Sequence, residues 1–412
     1  MASDPQMRRA IAHAGAGSKT SGTGIGVLTR SADSLVVRRS GRVALLLSPS
    51  VWWTIGGTGL WVVGALGSRH LEVGPGGLFR ALPILWYLGV AAVLVGLLTA
   101  RRDREWEIAL AVFALAAALT ATPAIIYDAP RLPWGAKHLG VVDYIRVHGS
   151  VDRNVDIYHS WPGFFSAIAA MSDALGIRDP VSLAMWWPPI MAACRLVAFR
   201  FLAGRVIGPG YLCWVGAGIY FLADSIGQDY FSPQAVAVVL ALLIFGLSIG
   251  SAVTFPHDGV RLAMLALASL ALAVTHQLSP YIVVLSLGAL VLFRLVRPWW
   301  LPAIVAVPAV LWTFLHRTVV DRFVSTSQVG SVGSNVGPEN NLTDILHQPW
   351  VASQIVALVV GSLLLTFAAI GAFLRRRDRL GFALGAAACA PVGVLAVSAY
   401  GNEGVLRVTL FA

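Results

Sequence analysis

The sequence predicts an all-α, polytopic transmembrane helical bundle. Three observations carry that expectation. Of the 412 residues 57% are hydrophobic, only 12% are charged, and the mean hydropathy is +0.75. An ordinary soluble domain carries about 25% charged residues. Apolar runs of bilayer-crossing length recur along nearly the whole chain, which excludes a soluble multi-domain enzyme, a disordered chain and a disulfide scaffold. The three cysteines, Cys194, Cys213 and Cys389, sit inside apolar runs and read as small apolar residues, because an odd number without paired spacing gives neither a disulfide framework nor a metal site.

Residues 1–42 are polar and rich in Gly, Ser and Arg, which predicts a disordered basic tail ahead of a transmembrane domain over 43–412. Gly15 to Thr20 ends like a phosphate-binding loop. A serine separates Gly17 from Lys19 and no strand precedes it, so no P-loop is read. Eleven apolar runs follow, at about 48–67, 81–100, 108–126, 181–202, 206–223, 234–253, 261–275, 278–293, 299–315, 350–374 and 381–399. The terminal VTLFA looks like the beginning of a twelfth, partial span, and predicts a truncated frame or a fragment.

The basic residues set the orientation. With the tail inside, 19 of the 30 Arg and Lys fall in cytoplasmic segments and 10 in outer segments of nearly twice the total length. The positive-inside rule then predicts a multi-pass protein of the plasma membrane with a cytoplasmic N-terminus. The net charge of +10 is explained by topology and by attraction to anionic membrane lipid, not by nucleic acid. Arg195 lies within a span near Arg200 and Arg205 and is expected to snorkel toward the inner surface.

In that orientation 13 of the 20 acidic residues and seven of the nine histidines lie outside, chiefly in five segments remote in sequence. Residues 127–180 open with Asp128 where the third span leaves the hydrocarbon. Next, Ala136 to Gly149 places Leu139, Val142 and Ile145 at helical spacing, with Lys137, His138, Asp143 and Arg146 elsewhere and Gly149 as the stop. It predicts a helix lying along the surface. Ser160 to Gly176, with Asp156 just before it, offers about 14 helical residues after Pro162, the length of an interfacial or re-entrant helix. Two such helices would roof a cavity.

The second segment holds Asp224, Gln228 and Asp229, with Ser232 and Pro233 as N-cap and first turn of the next helix; Ser279 and Pro280 repeat that pattern. His276 and Gln277 lie between two short apolar runs. A satisfied structural histidine and a ligand contact are both open there. Residues 316–349, rich in Gly, Ser and Asn, read as a flexible lid. The fifth segment packs Glu403 and Arg407 four apart, as a helical salt bridge or as a phosphate-binding arginine with its partner.

Through Asp156 to Phe165 (DIYHSWPGFF), Gly227 to Gln234 (GQDYFSPQ), Thr275 to Tyr281 (THQLSPY) and Tyr400 to Arg407 (YGNEGVLR), the chain resembles the C-type (GT-C) glycosyltransferases and actinobacterial integral membrane proteins of that type. The likeness runs from about residue 105 to the end. Its 28 arginines against two lysines fit a GC-rich genome. The resemblance implies a polyprenyl-phosphate sugar donor, an envelope glycan, lipid or protein acceptor, and a loop carboxylate that deprotonates the acceptor hydroxyl on the non-cytoplasmic face. That role maps to Asp128, with Arg407, Lys137, His138 and His276 as candidate cations for the departing phosphate. The family's acidic pair is absent, since Ala129 follows Asp128, and two extra spans precede the expected first one. Asp143, Asp156 and Asp229 therefore stay open as alternative bases, and Asp224, Gln228, Gln277 and Glu403 as substrate contacts. No ligand spacing implies a metal, although a divalent ion remains compatible. The competing expectations are a transporter or flippase for envelope lipid or polysaccharide, and a non-catalytic envelope assembly protein.

Overall fold

A computed structural model describes residues 48–72, 77–130, 133–223, 229–250, 258–323 and 379–391, with scattered positions between 359 and 374 and at 393. They are helical throughout; the only β feature among the described residues is a lone antiparallel bridge between Ile249 and Val296. The helices are α1 (Pro49–Leu66), α2 (Gly77–Ala81), α3 (Ile84–Thr99), α4 (Glu105–Ile126), α5 (Pro133–His148), a 3-10 turn (Ile157–Ser160), α6 (Gly163–Ala174), α7 (Val181–Ile207), α8 (Tyr211–Ala223), α9 (Pro233–Ser248), α10 (Gly259–Thr275), α11 (Ser279–Leu292), α12 (Pro302–Leu315), α13 (Arg317–Phe323) and α14 (Arg379–Cys389).

The first nine apolar runs are all helices, with one boundary displaced. Run four continues to Ile207 and run five begins only at Tyr211, because Gly208 takes φ +82° and Gly208-Pro209-Gly210 breaks the chain there. Among the described residues, by length and composition α4 alone, at 22 residues, is long and apolar enough to cross a membrane; α3, α8 to α12 and α14 are shorter apolar helices. The run at 350–374 lies mostly outside the described residues, as do the tail, the expected lid and the terminal VTLFA.

Contacts sort the helix ends into two groups. One end joins Ile126 to His70, Gly163 to Thr275, Phe231 to His138 and Trp312 to Ser160. The other joins Arg200 to Glu105, Arg205 to Gly246, Arg261 to Leu247 and Ile249 to Val296. We call these the roof end and the basal end. Successive helices from α3 to α4 and from α7 to α12 therefore run alternately between them.

Helices α1, α3 and α4 lock through glycine and one threonine. A Cβ on Gly57 would stand 2.6 Å from the Gly89 carbonyl oxygen, so the two backbones meet where only hydrogen separates them. Nearby, the indole N–H groups of Trp61 and Trp86 both donate to Thr122 Oγ1, at 2.8 and 2.9 Å, and that hydroxyl donates to the Ala118 carbonyl. One hydroxyl thus uses its donor and both lone pairs inside an apolar layer. Arg195 does not snorkel. It is 2% exposed with its guanidinium 5.4 Å from the Tyr220 ring centroid, because Tyr220 of α8 offers a π face inside the bundle.

The threonine clamp gives a stability prediction. Thr122→Val keeps the shape but strands two buried indole donors, and should lower unfolding free energy by about 2 kcal/mol or more. Thr122→Ser should cost much less. Thermal unfolding of the purified chain reads both, and equal losses would show that packing, not the hydroxyl, holds the layer.

Candidate functional site

The roof is built from α5, the 3-10 turn and α6. Helix α5 stops where Gly149, at φ +64°, donates its N–H to the Ile145 carbonyl at 2.8 Å, and α6 stops at Gly176, φ +66°, whose N–H donates to the Asp173 carbonyl at 3.2 Å. Both stretches expected to be helical in this segment are helices. Arg146 fastens them together: Nε donates to Asp173 at 2.9 Å, and the two terminal nitrogens donate to the Arg178 and Ile177 carbonyls at 3.0 and 2.9 Å. Asp143, one of the candidate bases, is exposed and lies 3.9 Å from Arg146 on the same helix.

Aromatic packing seats this roof on the bundle. Phe165 is fully buried against Phe164 and Tyr158, and Phe164 meets Trp187 and Phe231 edge-on at 5.5 and 5.0 Å. Gly163 allows the start of α6 to touch the end of α10, since a Cβ there would sit 2.6 Å from Val274 Cγ2 and 2.9 Å from the Val274 carbonyl oxygen. The Trp312 indole donates to the Ser160 carbonyl at 3.0 Å, bringing α12 under the 3-10 turn. Three of the four quoted motif stretches therefore meet at one end of the molecule.

At the roof's edge Lys137 and Asp156 form a 2.7 Å ion pair, with the Lys137 ammonium 5.0 Å from the Tyr158 ring centroid. Asp156 also accepts the Tyr158 N–H and caps the 3-10 turn. Beside them His138 is buried, Nδ1–H donating to the Phe231 carbonyl at 2.6 Å and the ring stacked parallel to Tyr230. Burial lowers the His138 pKa, with the Phe231 bond and Asp156 opposing and Lys137 reinforcing the shift. His159 is buried too; its Nδ1 accepts the Asp152 N–H at 3.1 Å, and burial lowers its pKa against Asp156 and Asp152.

Asp128 stands elsewhere on the roof end. Its side chain is 87% exposed and lies 3.7 Å from His70 Nδ1. The turn after α1 is stitched to the end of α4 by the His70 N–H to the Ile126 carbonyl, 3.0 Å, and by the Tyr127 hydroxyl to the Leu71 carbonyl, 3.1 Å. His70 adopts φ +59°, a left-handed conformation that a non-glycine residue pays for in strain, and this places the imidazole by the carboxylate. His70 escaped the sequence reading because it lies in a different loop from Asp128.

His276 is buried at the end of α10. Its Nδ1 accepts the Ser279 N–H at 3.1 Å and lies 2.8 Å from the Ser279 hydroxyl. The expected Ser279 N-cap is therefore corrected: Ser279 is the first residue of α11, Leu278 holds the cap position, and the imidazole takes the first-turn amide. Ser232 does cap α9, accepting from Ala235 at 3.3 Å. Gln277 is half-buried and Asp229 is buried beside Tyr230. Asp224, Gln228, Glu403 and Arg407 lie outside the described residues.

Among the described residues no three His, Cys, Asp or Glu side chains gather closely enough to hold a metal ion. Compared with protein-family models, curated proteins and solved structures, the chain matches none.

The two buried roof histidines predict a pH response. An imidazole whose folded pKa lies below its unfolded value, about 6.5, is protonated more readily in the unfolded chain. Folding stability is intact above that pH and falls as pH drops below it, until the folded pKa is passed. The thermal midpoint of the purified chain should fall between pH 7.5 and 5. His138→Asn with His159→Asn, which replaces the Nδ1 donor and acceptor by amide groups, should flatten that drop; an unchanged slope would place the titration elsewhere.

Proposed function

We propose that the chain is a multi-pass plasma-membrane glycosyltransferase that moves a sugar from a polyprenyl-phosphate donor to an envelope acceptor at the roof end, on the non-cytoplasmic side. A lipid environment accounts for the apolar residues the bundle leaves uncovered: Ile84 is 73% exposed, Leu98 84% and Leu292 77%, spread over α3 and α11. The basal arginines and the roof's acids and imidazoles fit the orientation the positive-inside rule requires.

The observation that carries the activity is the exposed Asp128 carboxylate beside His70 just past the end of α4, at the same end of the bundle as the roof. Asp128 takes the acceptor hydroxyl proton as the acceptor oxygen bonds the anomeric carbon. The bond from that carbon to the phosphate oxygen breaks, and polyprenyl phosphate leaves as an anion. His70 steadies the carboxylate and receives the proton when protonated Asp128 is reset. Of the cations named from the sequence, Lys137 is the described one with a partly exposed ammonium, 44% at its side chain, and it would have to exchange Asp156 for the leaving phosphate.

One observation favours a second reading. Lys137 with Asp156, Arg146 with Asp173, and His138 with the Phe231 carbonyl are mutually satisfied, as in a non-catalytic envelope assembly protein whose outer polar groups only hold a roof.

A transfer assay with radiolabelled polyprenyl-phosphate sugars separates the two. Asp128→Asn should lower turnover by about 100-fold or more, and Lys137→Gln by about tenfold with a raised donor KM. Turnover equal to the parent in Asp128→Asn removes that residue from the chemistry. Absence of transfer with every donor selects the assembly role.

A further inference from the structure

At the basal end most of the described arginines are engaged within the fold, Arg102 over the Tyr211 ring at 5.6 Å among them. Arg101 pairs with Asp103, Arg104 with Glu107 and Arg200 with Glu105, while Arg205 and Arg261 donate to the Gly246 and Leu247 carbonyls of α9. Arg294 and Arg297 differ. Both are exposed, and neither guanidinium has a carboxylate or carbonyl partner among the described residues. They line a cleft of about 410 Å³ together with Val291, Val296 and Trp299.

The turn that presents them is rigid. Arg294 takes φ +59° and donates its N–H to the Val291 carbonyl at 2.8 Å, and the Leu295 N–H returns to Leu290 at 2.9 Å. Val296 is buried and bridged to Ile249, and Leu301 is fully buried at the start of α12. The two anchored residues hold the turn while Arg294, Arg297 and Trp299 point away. Arg294 holds a left-handed backbone, in which glycine would be unstrained, just beyond the end of α11. Trp299 is 80% exposed and Leu292, at the end of α11, 77%. Two exposed guanidiniums without a carboxylate partner among the described residues suit an anion, and the exposed indole and leucine suit an apolar neighbour. A headgroup phosphate joined to acyl chains supplies both.

We propose that the cleft formed by Arg294, Arg297 and Trp299 binds the phosphate diester of an anionic phospholipid in the leaflet at the basal end. This rests on the membrane reading and not on sugar transfer.

The test uses the full chain in detergent, with native mass spectrometry after addition of dioctanoyl phosphatidylglycerol, dioctanoyl phosphatidylcholine or inorganic phosphate. The parent should retain phosphatidylglycerol where phosphatidylcholine is stripped, and inorganic phosphate should not displace it. Arg294→Gly, which suits the turn's backbone, combined with Arg297→Gln should cut phosphatidylglycerol occupancy by about an order of magnitude. Arg153→Gln, an exposed roof-end control, should leave it unchanged. Equal retention of the two lipids, equal loss in the control, or displacement by free phosphate overturns the proposal. Release of the chain from membranes by alkaline wash would instead overturn the membrane reading, and the transfer assay reports separately on catalysis.

Discussion

The arrangement depends on side-chain N–H groups reaching across to carbonyls at or beyond helix ends. A helix leaves its last carbonyls without intrahelical donors, and in an apolar bundle water reaches few of them. At the basal end Arg205 and Arg261 serve the final turn of α9, where cations also complement the helix dipole. At the roof end His138, Trp312 and Arg146 satisfy carbonyls in the connections: Phe231 just before α9, Ser160 at the end of the 3-10 turn, and Ile177 and Arg178 beyond α6. Each of these bonds joins segments remote in sequence, so satisfying the backbone and closing the tertiary fold are one event.

This constraint explains what the sequence revealed and what it hid. Apolar periodicity, Gly149 and the Ser232-Pro233 pair are local signals, and each sits where the sequence placed it. The failures arise where a remote partner decides. Ser279 looks like a cap until His276 takes its amide, and Arg195 looks like a snorkelling cation until Tyr220 covers it. No local pattern joins His70 to Asp128, because the turn after α1 reaches Asp128 only through the end of α4.

Small residues set how closely the pieces approach. Gly57 admits α3 to α1, and Gly163 admits α6 to α10, so the WPG stretch gains its place from a missing side chain. The aromatic residues that follow in that motif then fill the space between roof and bundle. The motif that looked like a signature of activity is, in large part, a device for seating the roof.

That distinction bears on where chemistry can occur. Groups that hold the roof, such as Arg146 and His138, have their donors committed to backbone or carboxylate partners, and using them in a reaction would loosen the scaffold. Asp128 and His70 are different: both are largely exposed, their ion-pair separation is loose at 3.7 Å, and a strained backbone holds the imidazole in place. A group acting on a substrate needs unused lone pairs at the surface and a fixed position beneath, a combination that this pair has and the buried roof histidines lack. The same logic separates Arg294 and Arg297 from Arg200, Arg205 and Arg261, whose guanidiniums already serve the fold.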